Sequence, residues 1–147
     1  MSRVGDTKRA YDKLARLLDE EIRNRASDSS NLNKIRETLD VAFYLLGWGQ
    51  FEYLVRQESK EIVEENARAK TIDRFAWQHL RDALKDYPVR KRLDLIFNAN
   101  HKVREKLDKD YTVRNEAAHN YKALPSEVKS VSDWLGGLEE LIDKFEH

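Results

Sequence analysis

Cysteine is absent from the 147 residues, proline occurs twice and glycine five times. Without thiols there is no disulfide scaffold, no thiolate nucleophile and no Cys-ligated metal, which fits a reducing compartment. So little Gly and Pro excludes a turn-rich all-β fold. No apolar run approaches the ~18 residues of a membrane span. The polar N-terminus, MSRVGDTKRAYDK, lacks a signal-peptide core. The expectation is a cytoplasmic protein with no membrane partner. Net charge is missing too, because 27 basic residues balance 27 acidic ones. No whole-protein field draws nucleic acid, so any RNA or phosphate site must be local.

What is present is helical periodicity and enough apolar mass for a core. Hydrophobic residues make up 40%, with 3 Trp, 6 Tyr and 5 Phe, which excludes wholesale disorder. The length suits a single domain over 1–147. Tyr11, Leu14, Leu18 and Ile22 mark a first helix that ends before Ser27-Asp-Ser-Ser-Asn31. Ile35, Leu39, Ala42, Phe43 and Leu46 mark a second, apolar all round from Val41 to Leu46 as a helix buried at a bundle centre would be. Gly47-Trp48-Gly49 is a point of bending or interruption, and Glu58 to Lys70 reads as an exposed helix or connection. Ile72, Phe75, Ala76, His79, Leu80, Ala83 and Leu84 predict an amphipathic helix ending at Tyr87-Pro88. Val89, Leu93, Ile96, Phe97, Val103 and Leu107 predict another, less regular at Asn98-Ala-Asn100. A short segment from Thr112 to Tyr121 precedes a break at Pro125, and Val128 to Phe145 carries the clearest amphipathic stripe, with Gly136-Gly137 inside it. Two helical glycines cost about 1 kcal/mol each relative to Ala, which suggests a close packing partner there. The three Trp lie on or beside apolar stripes and read as core. The expected fold is all-α, an up-and-down bundle of four or five main helices.

Charge is uneven along the chain. Val89 to Lys106 holds six basic residues against Asp94 and Glu105, and Ser126 to His147 holds six acidic residues against Lys129 and Lys144. Arg90, Arg92, Lys102 and Arg104 are therefore the RNA-binding candidates, unless the segment is an ordinary solvated helix face.

Most chemical classes find no support. The four histidines, His79, His101, His119 and His147, form no His-x3-His or His-Glu-x2-His pair. Glu61-Ile-Val-Glu64-Glu65 has carboxylates at helical spacing but no His at the position a di-iron bundle uses. There is no Gly-rich phosphate loop and no Gly-x-Ser-x-Gly elbow. No metal or cofactor is expected.

One segment stands apart: Arg114-Asn115-Glu116-Ala117-Ala118-His119-Asn120-Tyr121. The Arg-to-His spacing alone is weak, since Arg74 and His79 repeat it inside a strongly apolar stretch. The neighbours distinguish the two: here Asn follows the Arg, two Ala precede the His, and a Tyr follows it. With Thr112 as N-cap, a helix places Arg114, Ala117, Ala118 and Tyr121 on one face. His119 then lies about 140° round from Arg114, beside Asn115 and Glu116. The two Ala leave a shallow strip where a second backbone can approach. Diverging Arg and His make a poor site alone, whereas two copies about a two-fold axis bring two of each together.

This segment resembles the signature of the HEPN superfamily (higher eukaryotes and prokaryotes nucleotide-binding domains), an Arg followed by a polar residue and, a few residues on, a His, ahead of a final helix. Its Arg-x4-His-x-Tyr form is similar to the toxin half of HEPN–nucleotidyltransferase pairs. Trp48-Gly-Gln-Phe51-Glu52-Tyr53-Leu54 resembles the aromatic-plus-Glu stretch of an early helix in several subfamilies. The resemblance implies a homodimeric, metal-independent endoribonuclease, a toxin or phage-defence effector. It implies His119 as general base or acid at the ribose 2′-OH and the leaving 5′-oxygen. It implies Arg114 gripping the scissile phosphate. Asn115 orients that Arg or meets the phosphate, and Glu116 and Glu52 are supporting candidates. Glu52 has a plainer alternative, a surface pair with Arg56 at i+4. Tyr121 matches the position at which a partner nucleotidyltransferase antitoxin attaches AMP, and its other reading is a packing residue. Two further readings stand beside the enzyme: a catalytically silent HEPN-like module that binds a nucleotide or protein partner, and an unrelated helical adaptor.

Overall fold

The computed structural model describes residues 3–25, 27, 29–120 and 124–145, without the side chains of residues 119 and 120. Among them every regular element is helical. The α-helices are α1 (Arg3–Asn24), α2 (Ser29–Arg68), α3 (Arg74–Ala83), α4 (Val89–Ile96), α5 (His101–Asn120) and α6 (Val131–Asp143), with a 3-10 turn at Leu84–Asp86. The expected all-α class is the observed one, with six helices where four or five main ones are expected from the periodicity. The chain divides into two compact units, 1–51 with 112–147, and 52–111.

In the first unit α1 runs antiparallel to the beginning of α2. Thr7 Oγ1 donates to Gln50 Oε1 at 2.8 Å, Tyr11 OH to Asp40 Oδ1 at 2.6 Å, and Arg36 Nε to Asp19 Oδ1 at 3.1 Å. Arg36 Nη1 also donates to the Tyr11 hydroxyl at 3.0 Å and pairs with Asp40. Burial, and then Asp40 as neighbour and acceptor, push the Tyr11 phenol up to about 12, so it stays a neutral donor. α6 lies along α1 on another side: Gly5 sits against the Glu139 carboxylate, and Gly136 faces the Lys8 stem. Partial burial works against ionisation of Asp12, but hydrogen bonds from Ser132 and Lys8 hold its carboxyl below the ordinary range. Ser130 caps α6, its Oγ accepting from Asp133 N at 3.2 Å. An aromatic cluster fills the space between α2 and α6. Trp48 and Trp134 have centroids 4.9 Å apart, and Tyr44 and Trp134 5.3 Å. Trp48, Phe51 and Leu135 are fully buried.

Gly47-Trp48-Gly49 does not interrupt α2, which continues through the charged stretch to Arg68. The glycine that meets a close partner is Gly47 rather than the pair in α6. A Cβ on Gly47 would fall 2.6 Å from Leu135 Cδ2, while Gly49 and Gly137 have nothing within 4 Å. Overpacking costs about 1–3 kcal/mol, against a helix-propensity gain of about 1 kcal/mol for Gly to Ala. Gly47→Ala is therefore expected to lower the melting temperature and Gly49→Ala to raise it. Thermal melting of the two variants checks this, and equal shifts would refute the close approach at residue 47.

The second unit holds the rest of α2, α3, the 3-10 turn, α4 and the first part of α5. Val55, Val63, Leu84, Leu93, Leu107 and Tyr111 form its core. Arg90 Nε donates to Asp108 Oδ1 at 2.6 Å, and Arg104 donates to Asp94 Oδ1 at 2.6 Å and Asp108 Oδ1 at 3.3 Å, clasping α4 to α5. Arg90 foremost, with Arg104, holds the Asp108 carboxyl below its ordinary range.

Three expectations change here. The helix expected from Val89 to Leu107 is two helices. Asn100 ends the break between them, its Oδ1 accepting from Val103 N at 3.3 Å as the cap of α5. Thr112, expected as an N-cap, lies inside α5, which runs unbroken from residue 101 to 120. And α3 turns the expected apolar face outward: Ile72 and Phe75 are exposed, as are Ala76 and His79, and no residue of α3 is buried. On its less exposed flank Gln78 Nε2 donates to Ala67 O of α2 at 3.0 Å, while Trp77 Nε1 donates to Asp73 Oδ2 at 3.1 Å within the first turn of α3 itself.

Candidate functional site

The end of α5 carries the Arg-x4-His segment. Ala117 is buried, Arg114 and Ala118 are half-buried, and Asn115 and Glu116 are exposed. Continuity of the helix fixes the relative positions of these residues. At 100° per residue, position 119 stands about 200° from buried Ala117, between exposed Asn115 and Glu116. Position 119 therefore belongs to the outer side of α5; its side chain, and all of Tyr121, lie outside the described residues. Arg114 Nη1 donates to Asn115 Oδ1 at 3.1 Å, and Arg114 Nε is shielded from solvent. This hydrogen bond joins adjacent side chains at an exposed stretch of the helix. The Ala strip is not the open surface expected. Ala117 is 5% exposed and already covered, so only Ala118 of the two remains at the surface.

The other candidates belong to the second unit and are placed there differently from one another. Glu52 is half-buried on α2, and Lys102 is exposed near the start of α5. Arg90 and Arg104 are engaged by Asp108 and Asp94. Arg92 is a correction to the RNA-binding set. It is 7% exposed, and its guanidinium donates to Leu84 O at 2.8 Å, Tyr87 O at 3.2 Å and Ser59 Oγ at 3.1 Å. Burial first, and the nearby Arg56 second, lower its pKa. A guanidinium enclosed by carbonyls at the end of the 3-10 turn is spent on the fold. Sequence reasoning placed it on a basic face because Arg90, Lys91 and Arg92 are consecutive; on a helix, consecutive residues point 100° apart, so one of three can turn inward.

Among the described residues no group of three or more His, Asp or Glu side chains converges to hold a metal ion. No described helix is long and apolar enough to cross a membrane. Comparison of the chain with protein-family models, with curated proteins and with solved structures yields no match.

Proposed function

We propose that the chain is a metal-independent endoribonuclease of the HEPN kind, a toxin or phage-defence effector. The observation that carries this reading is the arrangement at the end of α5: Arg114 held by Asn115, with positions 115, 116 and 119 together on the side away from buried Ala117. In the proposed reaction His119 takes the proton of a ribose 2′-OH, whose oxygen attacks the adjacent phosphorus. The P–O5′ bond breaks, and an imidazolium, from the second copy or after proton exchange, protonates the leaving oxygen. The products are a 2′,3′-cyclic phosphate and a 5′-hydroxyl end, so no water or metal is consumed. Arg114 grips the phosphate and balances charge on the pentacoordinate state. Asn115 keeps the guanidinium aimed, and Glu116 supports the exposed side. A homodimer supplies two Arg and two His to one cleft. Tyr121 is the proposed AMP acceptor for a nucleotidyltransferase antitoxin. Lys102 is the exposed cation left to assist RNA binding once Arg90, Arg92 and Arg104 are committed to the fold.

The test is cleavage of a single-stranded RNA and of the same oligonucleotide with 2′-deoxyribose throughout, each with and without EDTA. RNA cleavage unchanged by EDTA is expected, with the deoxy strand intact. Cleavage of the deoxy strand, or loss on chelation that a divalent ion restores, would overturn the mechanism. A folded protein that cleaves neither strand would favour the silent-module reading.

A further inference from the structure

The basic residues of α4 and α5 are sorted by type. The arginines take up the carboxylates and carbonyls of the fold: Arg90 pairs with Asp108, Arg104 with Asp94 and Asp108, and Arg92 is buried among carbonyl oxygens. Lys91 of α4 lies over the Tyr87 ring, 6.0 Å from its centroid. The lysines of α5 are left over. Lys102, Lys106 and Lys109 are all exposed, and none of them forms an ion pair among the described residues. With Asp94 and Asp108 consumed by arginines, little is left to offset them. Asp110 is half-buried, and burial raises its pKa against the pull of Lys106. Glu105 is the exposed carboxylate that remains between His101 and Thr112.

Helical spacing puts the three lysines in one row. At 100° and 1.5 Å per residue, Lys106 stands about 40° to one side of Lys102 and Lys109 about 20° to the other, and the row is ~10 Å long. Glu105 lies about 60° off its axis. A solvated helix face usually intersperses the two signs, with Glu four residues ahead of Lys. Glu105 and Lys109 have that order, but Lys102 and Lys106 are like charges at i,i+4, a pair that opposes the helix. The row therefore brings the fold nothing, and its charge is free for a ligand. A nucleic-acid strand carries one phosphate per ~3.4 Å of axis, so ~10 Å of α5 faces about three phosphates, one for each lysine.

We infer that Lys102, Lys106 and Lys109 form a phosphate track for a single nucleic-acid strand, blind to base and sugar. Lysine is a point charge without the guanidinium fork that reads planar partners. Phosphate contacts of this kind position a strand and carry no sequence information. The track therefore holds a deoxy strand as well as a ribose one, and discrimination between them belongs to the chemistry at the 2′-OH. Binding and cleavage then have different specificities: a single DNA strand is bound and left whole. The choice of nucleic acid over another polyanion rests on the ribonuclease reading, whereas the track itself rests on how the fold divides arginines from lysines.

The test is binding of a fluorescent oligothymidine of about 12 nucleotides, inside the range of sites a small domain covers, followed by anisotropy between ~50 and ~200 mM salt. The full chain is expected to bind it without cutting it. Lys102→Ala, Lys106→Ala and Lys109→Ala are each expected to flatten the plot of log affinity against log salt by about 0.7, and all three together by about 2. The double variant Lys13→Ala/Lys34→Ala, at exposed lysines of the other unit, is expected to leave the slope unchanged. Glu105→Gln is expected to strengthen binding about two- to fivefold, the size of one exposed charge interaction. An absence of binding overturns the inference, as does a triple variant with the wild-type slope. Displacement of the strand by poly-glutamate at equal charge also overturns it, in favour of an acidic protein partner. A chain that binds through these lysines but leaves RNA uncut would overturn the ribonuclease reading and keep the track. One that cuts RNA while the triple variant keeps its full slope would do the reverse.

Discussion

Replacing His119 by alanine is expected to reduce RNA cleavage by about 10²–10⁴-fold, the range set by loss of a general acid–base group. Stability is expected to change by less than ~0.5 kcal/mol, because position 119 lies on the outer side of α5, away from buried Ala117. Arg114→Ala is expected to lose activity to a similar degree, about 10²–10³-fold for a donor to developing charge. It should cost more stability than the His change, since Arg114 is half-buried and bonded to Asn115. Arg114→Lys keeps the charge but not the two-pronged grip, and is expected to recover only part of the rate. Asn115→Ala separates orientation from chemistry: if Asn115 only aims the guanidinium, cleavage falls moderately and the pH profile keeps its shape. The readouts are initial rates and thermal melts on the same preparations. Wild-type rates in His119→Ala would remove the assignment of this residue and, with it, the ribonuclease mechanism.

The helices at the two ends of the chain were legible from their helical periodicity, and in α6 burial follows it closely. α6 has one apolar stripe, and its buried Val131, Leu135, Leu138 and Ile142 sit on it. α1 is a helix as expected but keeps only part of its expected stripe inside: Tyr11 is buried, Leu18 and Ile22 are half-buried and Leu14 is exposed, while Val4 and Ala15 complete the inner face. The middle was harder where polar anchors or sterics outweigh periodicity. Gly47 looked like a helix breaker, yet in α2 it is the place where Leu135 can come close. Asn100 looked like irregularity and is a cap. The apolar stripe at Ile72 and Phe75 gave the wrong inward face for α3, whose tie to α2 is instead the Gln78 hydrogen bond to Ala67 O on its other flank. The Arg-x4-His segment was legible as a pattern on a helix, and the Arg114–Asn115 bond follows from their adjacency. What a pattern does not carry is coverage. Nothing in Ala117-Ala118 says which of the two is already packed, and nothing in three consecutive basic residues says that Arg92 is interior.

Arg92 supplies the largest stability effect expected of any basic residue here, and the reason is an asymmetry among its acceptors. Replacing a buried ion pair by apolar groups is often harmless when both partners are removed. Two of the groups around Arg92, Leu84 O and Tyr87 O, are backbone carbonyls that no substitution can delete, and Ser59 Oγ is fully buried with them. Arg92→Met keeps much of the volume but removes the charge-assisted hydrogen bonds; Leu84 O still accepts from Tyr87 N and Ser59 Oγ still donates to Arg56 O, so Tyr87 O is the acceptor left without its donor, at about 1–3 kcal/mol. With the lost hydrogen bonds to the charged guanidinium added, the expected loss is about 2–4 kcal/mol, a large part of the stability of a chain this size. Arg92→Lys offers one ammonium to acceptors spread over a fork, and is expected to fall between wild type and Met. Lys102→Ala, on an exposed position ten residues on, is expected to stay within ~0.5 kcal/mol. Urea titration followed by Trp fluorescence ranks the four proteins. RNA affinity is the second measurement: at temperatures where Arg92→Lys remains folded, its affinity should equal that of wild type, while Lys102→Ala weakens binding and flattens its salt dependence. An Arg92→Lys protein that keeps wild-type stability but loses RNA would return Arg92 to the binding surface and refute the interior role that its carbonyl cage implies.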